Sequence, residues 1–361
     1  MNFYKEFFMI GSVKFLPNRV WRVYLGGSGI DALRHAEQCE DNHFPEDWIA
    51  SDSLANNPQY PAENQGLSRL VYDGKEVFFK DFLSENAADA LGDAHIAKFG
   101  KKSALLMKIL DSAERLPIQA HPSVPDAQKY FNSNFGKTES WYIIGAREVN
   151  GEAPYLLMGF NDKLDKELFV SEALQGDFPK GKEMLHKIAV KPGDCFMIPG
   201  GLPHAIGCGV TVIETMEPSD LVIQPEFFCG TQRLSDAERW SGAVPEEAMR
   251  CFDYTPESEE ALRKRCTPAT SEIEPGLIRV IPYELARYFE VQRLECDGEF
   301  HFTNREKRHR AGVVVEGSVT LTDSCGTIEL QRGDTFFIPC CQETAVFKGK
   351  GTIIFSLPPQ L

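Results

Sequence analysis

Apolar and polar residues alternate over several stretches of this chain, and alternation of this kind predicts antiparallel strands. The stretches are 136–146, 184–220 and 285–357. Apolar residues recur at helical spacing elsewhere, which predicts helices over 81–100, 125–134, 163–177, 234–254 and 257–266. The run 103–112 is too short to decide between strand and helix. The chain is therefore predicted to be mainly β, with helices inserted between the strands.

Two of the strand-rich stretches carry the same short pattern. PGDCFMIPGGLPHA (192–205) and RGDTFFIPCCQETA (332–345) share Gly-Asp-x-Phe-x-Ile-Pro at the same spacing. The repeat predicts two related β-barrel lobes. The first copy carries His204 five residues after Pro199, and the second carries Thr344 at that place. The predicted divisions are a metal-binding lobe with its N-terminal segment (1–230), a helical insertion (231–275) and a second lobe without metal ligands (276–361).

Four residues in the first lobe are candidate metal ligands. Gln119 and His121 lie two positions apart, so in an extended strand their side chains point to the same side. Glu139 follows in the next predicted strand, and His204 is the fourth candidate. Two imidazoles, a carboxylate and an amide suit zinc or another divalent transition metal. Open positions for water or substrate are expected, because polar residues crowd the same strands: Lys108, Lys137, Glu214 and Asp220.

Two charged features have competing interpretations. Lys108 lies inside the apolar run 103–112, where a lysine is unusual because lysines are rarely buried without a partner. A side chain that snorkels to the surface is favoured over a cation inside a polar cavity. The basic run 304–310, NREKRHR, is interpreted as a solvated loop rather than an anion site.

The composition and net charge limit the possible binding partners and the cellular compartment of the protein. A net charge of −15 argues against nucleic-acid binding, because a phosphate backbone would be repelled. No apolar run is long enough to cross a bilayer, and the N-terminus lacks the basic region of a signal peptide. Ten cysteines are scattered without a Cys-x-x-Cys pair, which favours a reducing cytoplasm. A small molecule is the predicted partner.

Several segments resemble one known family. IQAHP, GKTESWYII, PGDCFMIPGGLPHAIG and ETMEPSD resemble signature segments of the type I mannose-6-phosphate isomerases, which belong to the cupin superfamily. FPEDWIASD and ALLMKILDS resemble the N-terminal segments of that family. The resemblance implies two cupin (double-stranded β-helix) lobes with helical insertions. It also implies one zinc ion per chain, held in the first lobe by the residues that match the family's ligands: Gln119, His121, Glu139 and His204.

The family's reaction interconverts mannose 6-phosphate and fructose 6-phosphate. Moving a carbonyl between C1 and C2 through a cis-enediol requires a general base and a cation that holds the enediolate charge. The resemblance implicates Lys108, Lys137 and Asp220 in catalysis or phosphate binding. The family's arginine four residues after the aspartate is Gln224 in this chain.

Gln224 leaves three alternatives open. Arg233 takes over the role of the family's arginine, or the substrate is a different or unphosphorylated sugar, or the protein is a sugar-binding cupin without turnover. A cupin oxygenase ranks last, because a site with one amide and no third histidine is unusual for oxygen activation.

Overall fold

The computed structural model describes residues 9–175, 178 and 180–361. Its strands, in chain order, are β1 (Val13–Lys14), β2 (Arg19–Val20), β3 (Glu46–Ile49), β4 (Arg69–Tyr72), β5 (Lys75–Phe78), β6 (Leu106–Asp111), β7 (Glu139–Ala146), β8 (Tyr155–Phe160), β9 (Leu185–Ala189), β10 (Cys195–Ile198), β11 (His204–Ile206), β12 (Val210–Met216), β13 (Phe228–Cys229), β14 (Gln232–Arg233), β15 (Ser271–Glu274), β16 (Leu277–Ile281), β17 (Glu290–Thr303), β18 (Arg310–Asp323), β19 (Gly326–Gln331), β20 (Thr335–Ile338) and β21 (Thr344–Leu357).

The α-helices are α1 (Ser28–Leu33), α2 (Phe79–Glu85), α3 (Ala87–Leu91), α4 (Asp93–Phe99), α5 (Val124–Phe131), α6 (Lys166–Gln175), α7 (Asp236–Trp240), α8 (Pro245–Ala248), α9 (Glu259–Cys266) and α10 (Tyr283–Ala286). Short 3-10 turns span Gly181–Met184 and Met249–Cys251. The mainly β architecture predicted from the sequence is confirmed.

The first lobe is built from two sheets that share a core. One sheet has the strand order β10-β7-β12-β6-β3-β2, and the other has the order β11-β8-β9. Their facing side chains form one buried apolar cluster, to which Trp141 and Val212 contribute from the larger sheet and Leu156 and Ile206 from the smaller one. The run 103–112, which the sequence left undecided, contains the inner strand β6.

The second lobe is a single eight-stranded sheet. Its order is β1-β20-β18-β21-β17-β16-β15, with β19 paired to β18. The strands β17, β18 and β21 each run for 14 residues, and they surround a core rich in phenylalanine. The repeated motif forms the equivalent strands β10 and β20, as the pattern predicted. Because β1 pairs with β20, the N-terminal segment reaches the second lobe.

The two lobes pack through a common apolar layer. Met107 and Ile109 of β6 point into one buried cluster with Val313 of β18 and Phe337 of β20. Thr215 and Ser356 are joined across this layer by a hydroxyl–hydroxyl hydrogen bond of 2.6 Å. β6 is therefore covered on both faces, since Leu110 on its other face belongs to the core of the first lobe. The predicted division at residues 230 and 275 stays a prediction.

The contribution of this shared apolar layer to stability can be tested at Phe337. Its ring is fully buried and lies 5.1 Å from the ring of Phe79 and 6.5 Å from the ring of Phe82, both in α2. We expect Phe337→Ala to lower the free energy of unfolding by about 3–5 kcal/mol, because it leaves a cavity between the helix and the second lobe. Urea denaturation measures this loss. Phe228→Ala, at an exposed phenylalanine, should cost less than about 0.5 kcal/mol; equal losses would contradict the packing role.

The predicted helix 81–100 is present but divided. It consists of α2, α3 and α4, which are separated at Asn86 and Gly92, and it ends at Gly100 as predicted. Gly92 has a φ of 84°, a left-handed value that favours glycine and breaks the helix. The predicted helix 163–177 is α6, and residues 176 and 177 lie outside the described residues.

The interpretation of 304–310 as a solvated loop is confirmed for the exposed Arg305 and Lys307 and is wrong for the last three residues. Arg308, His309 and Arg310 are at most 3% exposed. Arg308 forms an ion pair with Glu290 at 3.1 Å, and Arg310 donates to the amide oxygen of Gln292 at 3.1 Å. The run looks polar in sequence, but its last residue begins β18, which places these side chains inside the second lobe.

Candidate active site

The four predicted ligands come from three separate parts of the first lobe. Glu139 is the first residue of β7, and His204 is the first residue of β11 in the facing sheet. The extended segment between β6 and α5 carries Gln119 and His121. Backbone hydrogen bonds of 2.8 Å in both directions between Gln119 and His204 hold this segment against β11. The fold thus brings three parts of the chain to one point: the extended segment, the start of β7 and the start of β11.

Three of these side chains form a compact donor set. His121, Glu139 and His204 offer ligand atoms that all lie within 4.8 Å of one another, and all three side chains are buried. Glu139 lies 3.2 Å from Nε2 of His121 and 3.4 Å from Nε2 of His204. No other group of three or more such residues with this spacing occurs in the described part of the chain. Gln119 lines the adjoining cleft, where its amide oxygen can complete the set.

Both imidazoles are oriented by backbone carbonyls. Nδ1 of His121 lies 2.9 Å from the carbonyl of Leu221, and Nδ1 of His204 lies 2.8 Å from the carbonyl of Leu202. A carbonyl only accepts, so each ring carries its proton on Nδ1. Nε2 of His204 is left without a hydrogen-bond partner, and Nε2 of His121 lies 3.2 Å from Glu139 and accepts from Lys137 at 3.0 Å. Ligating histidines in metal sites show this arrangement.

The donor set contains polar atoms that have no partner in the described protein. Both carboxylate oxygens of Glu139 and Nε2 of His204 are buried without a hydrogen bond. Such groups cost free energy unless something satisfies them. A divalent cation satisfies all three at once. The residues present therefore fit a transition metal, and the orphaned atoms are the evidence for it.

The protonation states also suit a metal. Burial lowers the pKa of His204 to about 3 and lowers the pKa of His121, so both rings are neutral at physiological pH. Burial alone would raise the pKa of Glu139, but the Lys137 ammonium group beside it holds that pKa well below its usual range. Lys137 lies 3.3 Å from this carboxylate. A neutral imidazole and an ionised carboxylate are the forms that bind zinc.

At three of the four ligand positions the second lobe carries other residue types. In the first lobe Glu139 pairs with Ile198, and in the second lobe Arg310 pairs with Ile338 of the repeated motif. Arg310 therefore occupies the position of Glu139. Likewise, Thr303 pairs with Thr344 as Gln119 pairs with His204. A guanidinium and two hydroxyls cannot replace a carboxylate, an amide and an imidazole as ligands.

A cleft opens beside the donor set and contains Lys108. The cleft has a volume of about 120 Å³. The favoured interpretation of Lys108 as a snorkelling side chain is wrong, because the residue is 2% exposed. Its Nζ lies 3.7 Å from Glu46, 3.5 Å from Glu214 and 3.7 Å from Asp220. Because both faces of β6 are covered, the lysine side chain ends in the cleft and not at the outer surface, and three carboxylates compensate its charge.

The sequence reasoning missed three further charged residues of the cleft: Arg22, Glu46 and Glu238. Arg22 Nε lies 3.0 Å from a carboxylate oxygen of Glu46, and its Nη2 lies 3.4 Å from Asp220. Glu46 also accepts hydrogen bonds from Tyr24 at 2.8 Å and Trp48 at 2.7 Å. The segment FPEDWIASD, which resembles an N-terminal segment of the family, contains β3 and supplies Glu46. Acidic residues inside an apolar strand were the available signal.

The carboxylates of the cleft differ in their proton affinity. Burial raises the pKa of Glu214 to about 7, and the neighbouring Glu139 adds to the shift. Burial opposes ionisation of Asp220 as well, but Arg22 and Lys108 lower its pKa to about 2. Trp141 donates to Glu214 at 3.3 Å. The cleft therefore holds one carboxyl group that exchanges its proton near neutral pH and another that stays ionised.

The remaining predicted residues divide between the cleft and the surface. Gln224 lines the cleft, and its amide donates to the carbonyl of Glu238 at 3.1 Å. Arg233 is exposed on β14 and is not among the residues that line the cleft. The exposed position makes Arg233 a poor substitute for a cation at residue 224.

Comparisons with known proteins agree with this geometry. The model of the mannose-6-phosphate isomerase cupin domain matches residues 281–358. A mannose-6-phosphate isomerase from Streptococcus mutans is 38% identical over 272 residues, which cover 74% of this chain and 79% of the relative. The crystal structure of the mannose 6-phosphate isomerase from Bacillus subtilis superimposes with a TM-score of 0.72 at 22% identity, over 96% of this chain and 99% of that one. A mannose 6-phosphate isomerase bound with zinc and yttrium gives a TM-score of 0.70 at 16% identity, over 97% and 100%.

Fold and site together define a two-lobed cupin metalloprotein with one metal centre and a charged cleft beside it. The level of identity over most of both sequences then gives the family. The chain belongs to the type I mannose-6-phosphate isomerases.

Two predictions made from the composition can be compared with the structure. Each of the ten cysteines is free. Among the described residues, no helix is both long and apolar enough to span a membrane. The cytoplasmic location stays a prediction.

Proposed function

We propose that the protein is a zinc-dependent isomerase that interconverts mannose 6-phosphate and fructose 6-phosphate through a cis-enediol. The observation that carries the proposal is the buried donor set of His121, Glu139 and His204 with its unpartnered atoms. Lys137 lies 3.3 Å from Glu139 and also lines the charged cleft, so the donor set and the cleft are adjacent. The identity of the substrate is inferred from the relatives, which are mannose-6-phosphate isomerases.

Zinc fits the donor set. Imidazole and carboxylate ligands are common at catalytic zinc sites, and a relative of this fold is bound with zinc. The four residues that would hold one zinc ion per chain are Gln119, His121, Glu139 and His204. When bound, the ion supplies Lewis acidity toward a sugar oxygen.

The chain itself supplies the charges and the proton transfer. Lys108 and Lys137 line the cleft, and we propose that they stabilise the negative charge that develops on the enediolate oxygens. Glu214 also lines the cleft, 3.5 Å from Lys108, and we assign it the transfer of the proton between C1 and C2. Asp220 lies between Arg22 and Lys108, 3.4 Å from the first and 3.7 Å from the second, and balances part of their positive charge.

A second candidate follows from Gln224. An uncharged amide in the cleft cannot pair with a phosphate group as an arginine does, and this favours an isomerase for an unphosphorylated sugar. Rates on free mannose and on mannose 6-phosphate, measured with the same zinc-loaded protein, separate the two candidates.

The first measurement is turnover of mannose 6-phosphate. We expect zinc-loaded protein to form fructose 6-phosphate, and we expect chelation to abolish the activity and zinc to restore it, because the donor set is the only assembled metal group among the described residues. Metal content is measured by elemental analysis in parallel. Fully loaded protein without turnover of either sugar would overturn the isomerase proposal and favour a binding role.

A further inference from the structure

A sugar phosphate needs a cation in the cleft that is free to turn toward its phosphate group. Three cations line the cleft: Arg22, Lys108 and Lys137. Lys137 lies 3.0 Å from Nε2 of His121 and 3.3 Å from Glu139, so it is engaged at the metal centre. The choice is therefore between Lys108 and Arg22.

Lys108 is enclosed. Its ammonium group is surrounded by three carboxylates at 3.5–3.7 Å and lies over the ring of Trp48, 4.5 Å from the centroid. A phosphate that approached it would meet those carboxylates first. Lys108 is therefore suited to the charge of the reacting carbons beside Glu214 rather than to a phosphate dianion.

Arg22 is held on one side only. Nε forms the ion pair with Glu46 at 3.0 Å, and the guanidinium lies over Trp48, 5.2 Å from its centroid. The two Nη groups make only long contacts, at 3.2 Å to Asn57 and 3.4–3.5 Å to Asp220. These lie at or beyond the upper end of the normal hydrogen-bond range. The two Nη groups are the atoms with which an arginine pairs bidentately with phosphate, and in Arg22 they are only weakly held.

The negative charge of Asp220 stays balanced if the two Nη groups of Arg22 turn away from it. It lies 3.7 Å from Lys108, so a second cation remains beside it. Its side chain is also 24% exposed, which lets water replace the contact with Arg22. Two charged hydrogen bonds to a phosphate therefore offset the loss of the long contacts to Asp220 and Asn57.

We propose that Arg22 binds the phosphate group of the substrate and supplies the cation that residue 224 lacks. The inference rests on the proposed function, because it assumes a phosphorylated sugar. Arg22 lies two residues after β2. The proposal therefore gives the N-terminal segment the role of selecting phosphorylated over free sugars.

The test compares Arg22→Met with the unmodified protein. We expect KM for mannose 6-phosphate to rise about 10- to 100-fold, the loss typical of hydrogen bonds between charged groups, while kcat changes little. The inhibition constant of inorganic phosphate should rise by a similar factor. Unchanged values of both constants in a folded, fully metal-loaded variant would overturn the proposal.

Two further arginine variants make the test specific. Arg19 lies in the same segment, 2.6 Å from Asp31, and does not line the cleft. Arg19→Met should therefore leave KM unchanged. Arg233→Met examines the alternative drawn from the sequence. A rise in KM with Arg233→Met in place of Arg22→Met would overturn the proposal.

Folding and function are separated by two other measurements. If Arg22→Met does not fold, as judged by circular dichroism and metal content, Arg22→Lys replaces it. Arg22→Lys keeps the charge beside Glu46 but loses the two Nη groups, so KM should still rise. If the unmodified protein does not turn over mannose 6-phosphate, the proposed function fails by itself. Calorimetric binding of inorganic phosphate to the unmodified protein and to Arg22→Met then decides the role of Arg22 independently.

Discussion

Replacing His204 with alanine is expected to remove the metal and to lower kcat/KM for mannose 6-phosphate by about 1,000-fold or more. His204 is fully buried, and its Nε2 has no hydrogen-bond partner in the described protein. A Lewis acid contributes several kcal/mol to stabilising the transition state, and about 4 kcal/mol corresponds to a factor of 1,000. His121→Ala should have the same effect, since each imidazole supplies one of few ligands.

Elemental analysis and the isomerase assay, made on the same preparations, measure both effects. His186 offers a matched control, because its Nε2 lies 2.8 Å from the carbonyl of Glu257 and the residue does not line the cleft. His186→Ala should keep one zinc ion per chain and most of the activity. A full metal complement in His204→Ala or His121→Ala would show that the ligand assignment is wrong.

Glu214→Gln is expected to lower kcat by about 100- to 10,000-fold while the zinc content stays complete. The amide has nearly the shape of the carboxyl group and can still accept from Trp141, which donates to Glu214 at 3.3 Å. It cannot take up the carbon-bound proton. The effect should appear in kcat rather than in KM, because proton transfer contributes only in the transition state.

The pH profile gives a second readout. Burial, with Glu139 nearby, raises the pKa of Glu214 to about 7, so the ionised base is lost as the pH falls through neutrality. Activity of the unmodified protein should therefore decline on the acidic side of about pH 7, and Glu214→Gln should lack that limb. Glu152→Gln, at a half-exposed glutamate paired with Lys187, is the control and should leave kcat unchanged. An equally active Glu214→Gln would exclude this residue as the base.

Local pattern was sufficient for much of the architecture. Alternation of apolar residues located β7 and β9–β12 of the first lobe and β17–β21 of the second. The Gly-Asp-x-Phe-x-Ile-Pro repeat located β10 and β20 in equivalent positions. The ligand candidates were recoverable for a related reason. Gln119 and His121 are two positions apart in an extended segment, and His204 follows the motif at a spacing that the second copy lacks.

Long-range packing decided what local pattern could not. A lysine in a six-residue strand reaches the surface if either face of that strand is open. β6 is closed on one side by the second lobe and on the other by the core of the first, so Lys108 is buried among carboxylates. The basic run at 304–310 is also buried in part by packing: Arg308 forms an ion pair with Glu290 of β17, and Arg310 forms one with Glu306 and donates to Gln292 of β17.

The sequence by itself determined the fold class, the two lobes and the four ligand candidates, because strand periodicity and motif spacing are local properties of the chain. Only the tertiary structure decided which charges share the cleft. Arg22 and Asp220 are 198 residues apart, yet their side chains lie 3.4 Å from each other beside Glu46. Such a contact depends on how separate strands are placed against one another, and no spacing within either segment encodes it.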